Sequence, residues 1–245
     1  MPDWFVLLCV VILLAIGTHK RNTLWNDEVE LWKDVVRKSP NKFRTYHNLG
    51  YAYALQGQWE KAIMEFNESL RLNSNSAASI YCLGWIAYHR GELDQALKQF
   101  EKALQIDPSF FMAIYYAGVV FLEKGDYFNA IRQFERGVEL NPDFHRLHND
   151  LGIAYTKARM FDKAVKAFNR ELSLNPNNLG THLNIANTYI RMKETDKALA
   201  HYRLALKSPD LAHREKIEKL VAFLESGNML PDVEEISIET KKPSF

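Results

Sequence analysis

The sequence predicts an all-α fold, a right-handed superhelical solenoid of about five helix-turn-helix repeats closed by a capping helix. Three observations predict it. The first is a period. The stretch Asn48-Leu49-Gly50-Tyr51-Ala52-Tyr53, followed by Gly57, Ala62 and Phe66, returns 34 residues later as Leu83-Gly84, Gly91, Ala96, Phe100 and Pro108. The same columns then hold Gly118, Phe121, Gly125, Ala130, Phe134 and Pro142, and after them Leu151-Gly152, Tyr155, Ala164, Phe168 and Pro176. A weaker copy gives Ile185-Ala186, Tyr189, Ala198 and Tyr202. A fixed period of this length marks a stack of helix pairs. The second observation is an ordinary globular composition, 47% hydrophobic and 25% charged, enough apolar surface for packed helices. The third is an amphipathic stretch after the last copy, placed where a stack needs its open face covered.

The same composition narrows the function. Thirty-one Lys and Arg against thirty Asp and Glu leave a net charge near +1, without the basic excess of a general nucleic-acid binder. Cys9 and Cys82 are the only cysteines. Neither a structural disulfide nor a zinc site is expected from two thiols so placed.

Residues 1–22 contain an uncharged run, WFVLLCVVILLAIG from Trp4 to Gly17, with His19-Lys20-Arg21 close behind. Three readings are open. A signal peptide would use Ala15 and Gly17 as small residues near a cleavage point, although the run lacks a basic start. A buried helix would suit its length of fourteen residues, since about 20 apolar residues make a comfortable span. A short membrane-anchor helix is the leading reading, because the run is apolar all round and not along one stripe. It predicts a single-pass membrane protein. Lys20, Arg21, Lys33, Arg37 and Lys38 would then hold the repeats on the cytoplasmic side.

Residues 23–42 read as a half-repeat. Asn26 or Asp27 can cap a helix whose first turn carries Glu28 and Glu30. Val29, Trp32, Val35 and Val36 share one face, and Pro40 stops it. One period upstream of the first full copy, Trp25 aligns with Trp59 and Trp32 with Phe66, so this is a second helix whose first helix is replaced by the apolar run.

Residues 43–212 carry the five copies. Gly50, Gly84, Gly118 and Gly152 sit mid-helix, where glycine is costly unless another helix must come close. Ala62, Ala96, Ala130, Ala164 and Ala198 are small residues on that facing helix. Phe66, Phe100, Phe134, Phe168 and Tyr202 are expected to wedge between successive repeats, and Pro108, Pro142 and Pro176 to end the second helices. Gly57, Gly91 and Gly125 mark the turn inside each copy, a column that Arg159 and Lys193 take later. Residues 213–227 read as the cap, with Ile217, Leu220, Val221 and Leu224 on one face. Residues 228–245 have no period and read as a disordered tail.

These columns match the pattern W-x₂-L-G-x₂-Y…A-x₃-F…P, so residues 43–212 resemble the tetratricopeptide repeat family. The resemblance implies a superhelix whose concave groove is lined by a second stripe on each first helix. Here that stripe includes His47, Tyr51, Tyr81, Trp85, Tyr88, Tyr115, Asn149 and Asn187, aromatic early and more polar later. Tyr and Trp on an open groove are good peptide anchors, so these eight residues are the expected peptide-binding site. A subgroup of the family clamps a partner's terminal carboxylate with basic side chains. His47, Tyr51, Cys82, Met112 and Tyr116 stand at the matching positions and supply no such donors.

Catalysis has no residues to carry it. No Ser-His-Asp set, phosphate-binding glycine loop or metal-spaced carboxylate pair emerges, so no enzyme, cofactor or metal site is expected. His145, His148 and His182 invite a metal reading, but His148 and His182 fall in a packing column.

The junction carries a second resemblance. The apolar run, then Arg21-Asn22, Trp25, Glu28, Leu31-Trp32, Ser39-Pro40-Asn41 and His47-Asn48-Leu49-Gly50, resembles the boundary between the last membrane helix and the repeat tail of transmembrane O-mannosyltransferases and their bacterial relatives. That resemblance implies extracytoplasmic repeats, against the charge rule, and a partnership with a membrane glycosyltransferase whose catalytic core is absent here. The sequence thus predicts a membrane-anchored scaffold that binds a protein or peptide segment, with an accessory module of a membrane glycosyltransferase as the alternative.

Overall fold

A computed structural model of the chain describes residues 27–207 and 214–226. The stretches read above as the apolar helix and the tail lie outside these residues. Twelve α-helices and no strand occur among the described residues. The chain divides into two compact units, Met1–Pro108 and Ser109–Phe245.

The first unit holds α1 (Glu28–Lys38), α2 (Phe43–Leu55), α3 (Trp59–Leu72), α4 (Ala77–His89) and α5 (Leu93–Ile106). Asp27 caps α1, its carboxylate accepting from the backbone N–H of Val29 at 2.9 Å and of Glu30 at 3.4 Å. That leaves an acidic first turn, Glu28 and Glu30, facing the positive end of the helix. The α1 helix packs on α2, α2 pairs with α3, and α4 pairs with α5.

The second unit holds α6 (Phe111–Glu123), α7 (Tyr127–Leu140), α8 (His145–Lys157), α9 (Phe161–Leu174), α10 (Leu179–Arg191), α11 (Thr195–Leu206) and α12 (Arg214–Glu225). Helices pair as α6 with α7, α8 with α9 and α10 with α11, and α12 packs on α11. Ile217, Val221 and Leu224 of α12 are buried in one cluster with Leu183, Ala186, Tyr202 and Ala205. The apolar face of α12 therefore covers the last helix pair, and its charged residues face outward.

The helix pairs are held by one recurring contact. A Cβ added at Gly50 would lie 2.9 Å from the Phe66 ring, and one at Gly118 would lie 2.5 Å from the Phe134 ring. Phe66, Phe100, Phe134 and Phe168 are fully buried, each worth roughly 1.5–3 kcal/mol of transfer free energy. The rings expected between successive repeats thus seat on the glycine of their own repeat, because only a missing Cβ lets the two helices close around them. The turn after each first helix is a Schellman motif. Gln58 N–H donates to Tyr53 O at 2.9 Å and Gly57 N–H to Ala54 O at 3.0 Å, with Gly57 at φ 69°. Arg159 and Lys193 hold the same left-handed position at φ 62° and 63°.

The expected single-pass membrane localisation is corrected. Among the described residues no helix is long and apolar enough to cross a membrane. The longest have 14 residues, about 21 Å at 1.5 Å per residue, short of a hydrocarbon core of about 30 Å. The run Trp4–Gly17 on which that expectation rested is outside the described residues.

Candidate functional site

In the first unit the expected site residues lie on α2 and α4, and they divide by exposure. Tyr51 is 38% exposed and Leu55, one turn on, 49% exposed. Residues four apart share a helix face, so these two form an accessible apolar strip on α2. His47 is half-buried and turned to the interior. Its Nδ1 lies 3.0 Å from Ser79 Oγ, which also meets the hydroxyls of Ser69 and Ser76 at 3.0 Å each. Burial lowers the pKa of this imidazole.

Tyr81, Trp85 and Tyr88 do not form an open aromatic surface: they are 7%, 5% and 0% exposed. Tyr81 tilts on Phe100 with ring centroids 5.8 Å apart. The His89 ring lies 4.0 Å from that of Trp85 and 5.2 Å from that of Tyr88. These aromatics are core, because the stripe that carries them is broad enough to pack on neighbouring helices.

In the second unit a run of side-chain hydrogen bonds joins three first helices. Tyr115 on α6, 1% exposed, packs against Phe111 and Phe144 and donates its hydroxyl to Asp150 Oδ2 on α8 at 2.7 Å. Asp150 Oδ1 accepts from Asn149 Nδ2 at 3.2 Å. Asn149 Oδ1 accepts from Thr181 Oγ1 at 3.2 Å and from Asn184 Nδ2 at 3.0 Å, both on α10. Thr156 and Thr188 bring their hydroxyls within 2.9 Å of each other, a second link between α8 and α10. Asn187 Oδ1 accepts from the hydroxyl of Tyr202 on α11.

Asn149 is buried, whereas Asp150, Asn184 and Asn187 are half-buried. Burial raises the Asp150 pKa, and the bonds from Tyr115 and Asn149 together with the nearby Arg146 charge hold it down in part. Asp150 and Asn184 share one column of the repeat, 34 residues apart. The signal that sets them apart is their place in this polar run, which no single column reveals.

The three histidines go to different partners. The His148 Nε2–H donates to Pro142 O at 2.7 Å, His182 Nδ1 lies 3.1 Å from His201 Nδ1, and His145 approaches Glu171. Among the described residues no group of three His, Cys, Asp or Glu could hold a metal ion.

Tetratricopeptide-repeat family models match residues 43–76, 77–110, 115–178 and 179–209. The chain belongs to the tetratricopeptide repeat family. Solved structures resemble it over most of its length. MamA from Desulfovibrio magneticus RS-1, residues 41 to the end, is 25% identical with a TM-score of 0.65, covering 69% of this chain and 97% of that one. YrrB, a tetratricopeptide protein with an unusual peptide-binding site, is 21% identical with a TM-score of 0.68, covering 82% and 100%. The hetero-tetramer Cut9–Hcn1 of APC/C gives 22% and 0.67, covering 79% of this chain and 38% of that one. At these identities the likeness speaks to the tetratricopeptide fold. No curated protein matches the chain, and the junction's resemblance to O-mannosyltransferase tails gains no support from these matches.

Proposed function

We propose that this tetratricopeptide array binds a protein or peptide segment on the accessible parts of its first helices. The observation that carries the reading is the run from Tyr115 through Asp150 and Asn149 to Asn184. It holds amide and carboxylate groups of α8 and α10 in fixed positions before any ligand arrives, which lowers the ordering cost of binding. Half-buried Asp150, Asn184 and Asn187 match the N–H and C=O groups of a peptide backbone. In the first unit, Tyr51 and Leu55 supply an apolar strip for a ligand side chain.

In this reading Asp150, Asn184 and Asn187 touch a ligand held by the second unit, and Tyr51 touches one held by the first. Tyr81, Trp85, Tyr88, Tyr115 and Asn149 fix the helices that present them, and His47 ties α2 to α4 through Ser79. The likeness to YrrB is consistent with a peptide ligand. The test is a selection of displayed peptides on the full chain, followed by titration of the selected peptide. Asn184→Ala for a peptide held by the second unit, and Tyr51→Ala for one held by the first, are each expected to weaken binding by about tenfold, the size of one lost 1.4 kcal/mol contact, with the helical signal unchanged. Binding that survives both substitutions would remove the proposal.

A further inference from the structure

Glu171 is a charged residue in a column built for small ones. One period apart, the same column holds Ser69, Ala103, Gly137 and Ala205, and all of these are buried. Glu171 is 0% exposed. Its Oε1 accepts from Asn178 Nδ2 at 3.0 Å and lies 3.7 Å from His145 Nδ1, while Oε2 is buried with no hydrogen-bond partner among the described residues. A carboxylate oxygen in that state gives up hydration without replacement, a cost that falls when the group takes a proton.

Asn178 links this carboxyl to the next repeat. Its Oδ1 accepts from the Thr181 backbone N–H at 3.2 Å and so caps α10, while its amide nitrogen holds Glu171 on α9. One side chain thus reads the state of the acid and fixes the start of α10.

We propose that Glu171 makes the docking of α10 on α9 proton-dependent: the uncharged acid fits the site, and the carboxylate loosens it. From α8, the groups acting on it are His145, His148 and Asp150; from the turn before α10 it is the neutral amide of Asn178. Burial pushes the carboxyl above its usual range and Asp150 adds to this, whereas the Asn178 bond, His145 and His148 act in the opposite sense. A group whose folded value is raised contributes stability that is present below its unfolded value, near 4.5, and is lost as pH rises through the folded value. The junction therefore tightens as the solution is acidified from neutral, the reverse of an ordinary paired carboxylate.

The test is hydrogen exchange on the intact chain at about pH 5 and about pH 7.5, corrected for intrinsic exchange, read at the α9 and α10 amides. One proton changes an opening constant by at most about tenfold per pH unit. In the natural chain, opening is expected to fall toward pH 5 by part of that limit. Glu171→Gln and Glu171→Ala should lose this dependence, the alanine matching the residue of two other copies and guarding against a variant that fails to fold. His145→Ala should keep it. A slope unchanged in Glu171→Ala assigns the effect to other groups, and a slope abolished by His145→Ala makes it a histidine–carboxylate pair; either result overturns the proposal.

Discussion

The hydroxyl of Tyr115 on α6 donates to Asp150 Oδ2 on α8 at 2.7 Å, so an aromatic expected on an open groove is instead the buried anchor of a polar network. Its phenol is worth more than its exposure suggests, because it compensates a carboxyl that burial has driven up in pKa. Tyr115→Phe removes only this oxygen. A hydrogen bond to a charged group contributes about 1.5–3 kcal/mol, and urea unfolding is expected to show a loss of that order. An unchanged midpoint would mean that Asp150 finds an equivalent donor.

The seating of Phe134 on Gly118 gives a second expectation. Gly118→Ala improves helix propensity by about 1 kcal/mol, but the new methyl would stand 2.5 Å from a fully buried ring. Overpacking of this kind costs about 1–3 kcal/mol, so the substitution is expected to lower the thermal midpoint. Phe134→Leu in the same chain should recover part of the loss, since it shortens the group that the methyl meets. A midpoint raised by Gly118→Ala alone would show that the ring has room to move.

The turn column offers the opposite sign. Arg159 and Lys193 sit at positive φ where the earlier copies have glycine, and a left-handed side chain costs about 1–2 kcal/mol. Arg159→Gly is expected to stabilise the chain, by less than that cost because glycine also frees the unfolded state. Differential scanning calorimetry reads the change directly. Destabilisation would mean that Arg159 makes a contact worth more than the strain.

Cys82 is 4% exposed, and burial pushes its thiol up to about 12. At pH 8 the thiolate, which is the reactive form, is therefore a minor species. Site-resolved mass spectrometry after iodoacetamide treatment is expected to find Cys82 unmodified in the native chain and modified in urea. Rapid native labelling would show that α4 opens easily.

The repeat, the turn and the small-residue columns are legible in the sequence because each depends on one contact inside one copy. Gly50 and Phe66 recur together for that reason. The candidate site was less legible. Tyr81 and Trp85 look alike on a helical stripe whether they face solvent or a neighbouring helix, and the ring of Phe100 against Tyr81 and the 5% exposure of Trp85 decide the matter. The polar run through Asn149 was hidden because its members come from α6, α8 and α10, more than 30 residues apart. Glu171 departs from a small-residue column, and its burial follows from the backbone that the other copies dictate.

Binding along the first helices is tested most directly by hydrogen exchange of the full chain with and without a selected peptide. Slowed exchange in α8 and α10 for a peptide held by the second unit, or in α2 for one held by the first, with little change in α3, α7 and α9, is the expected result. Protection confined to the second helices, with the amides around Tyr51 and Asn184 unchanged, would contradict it.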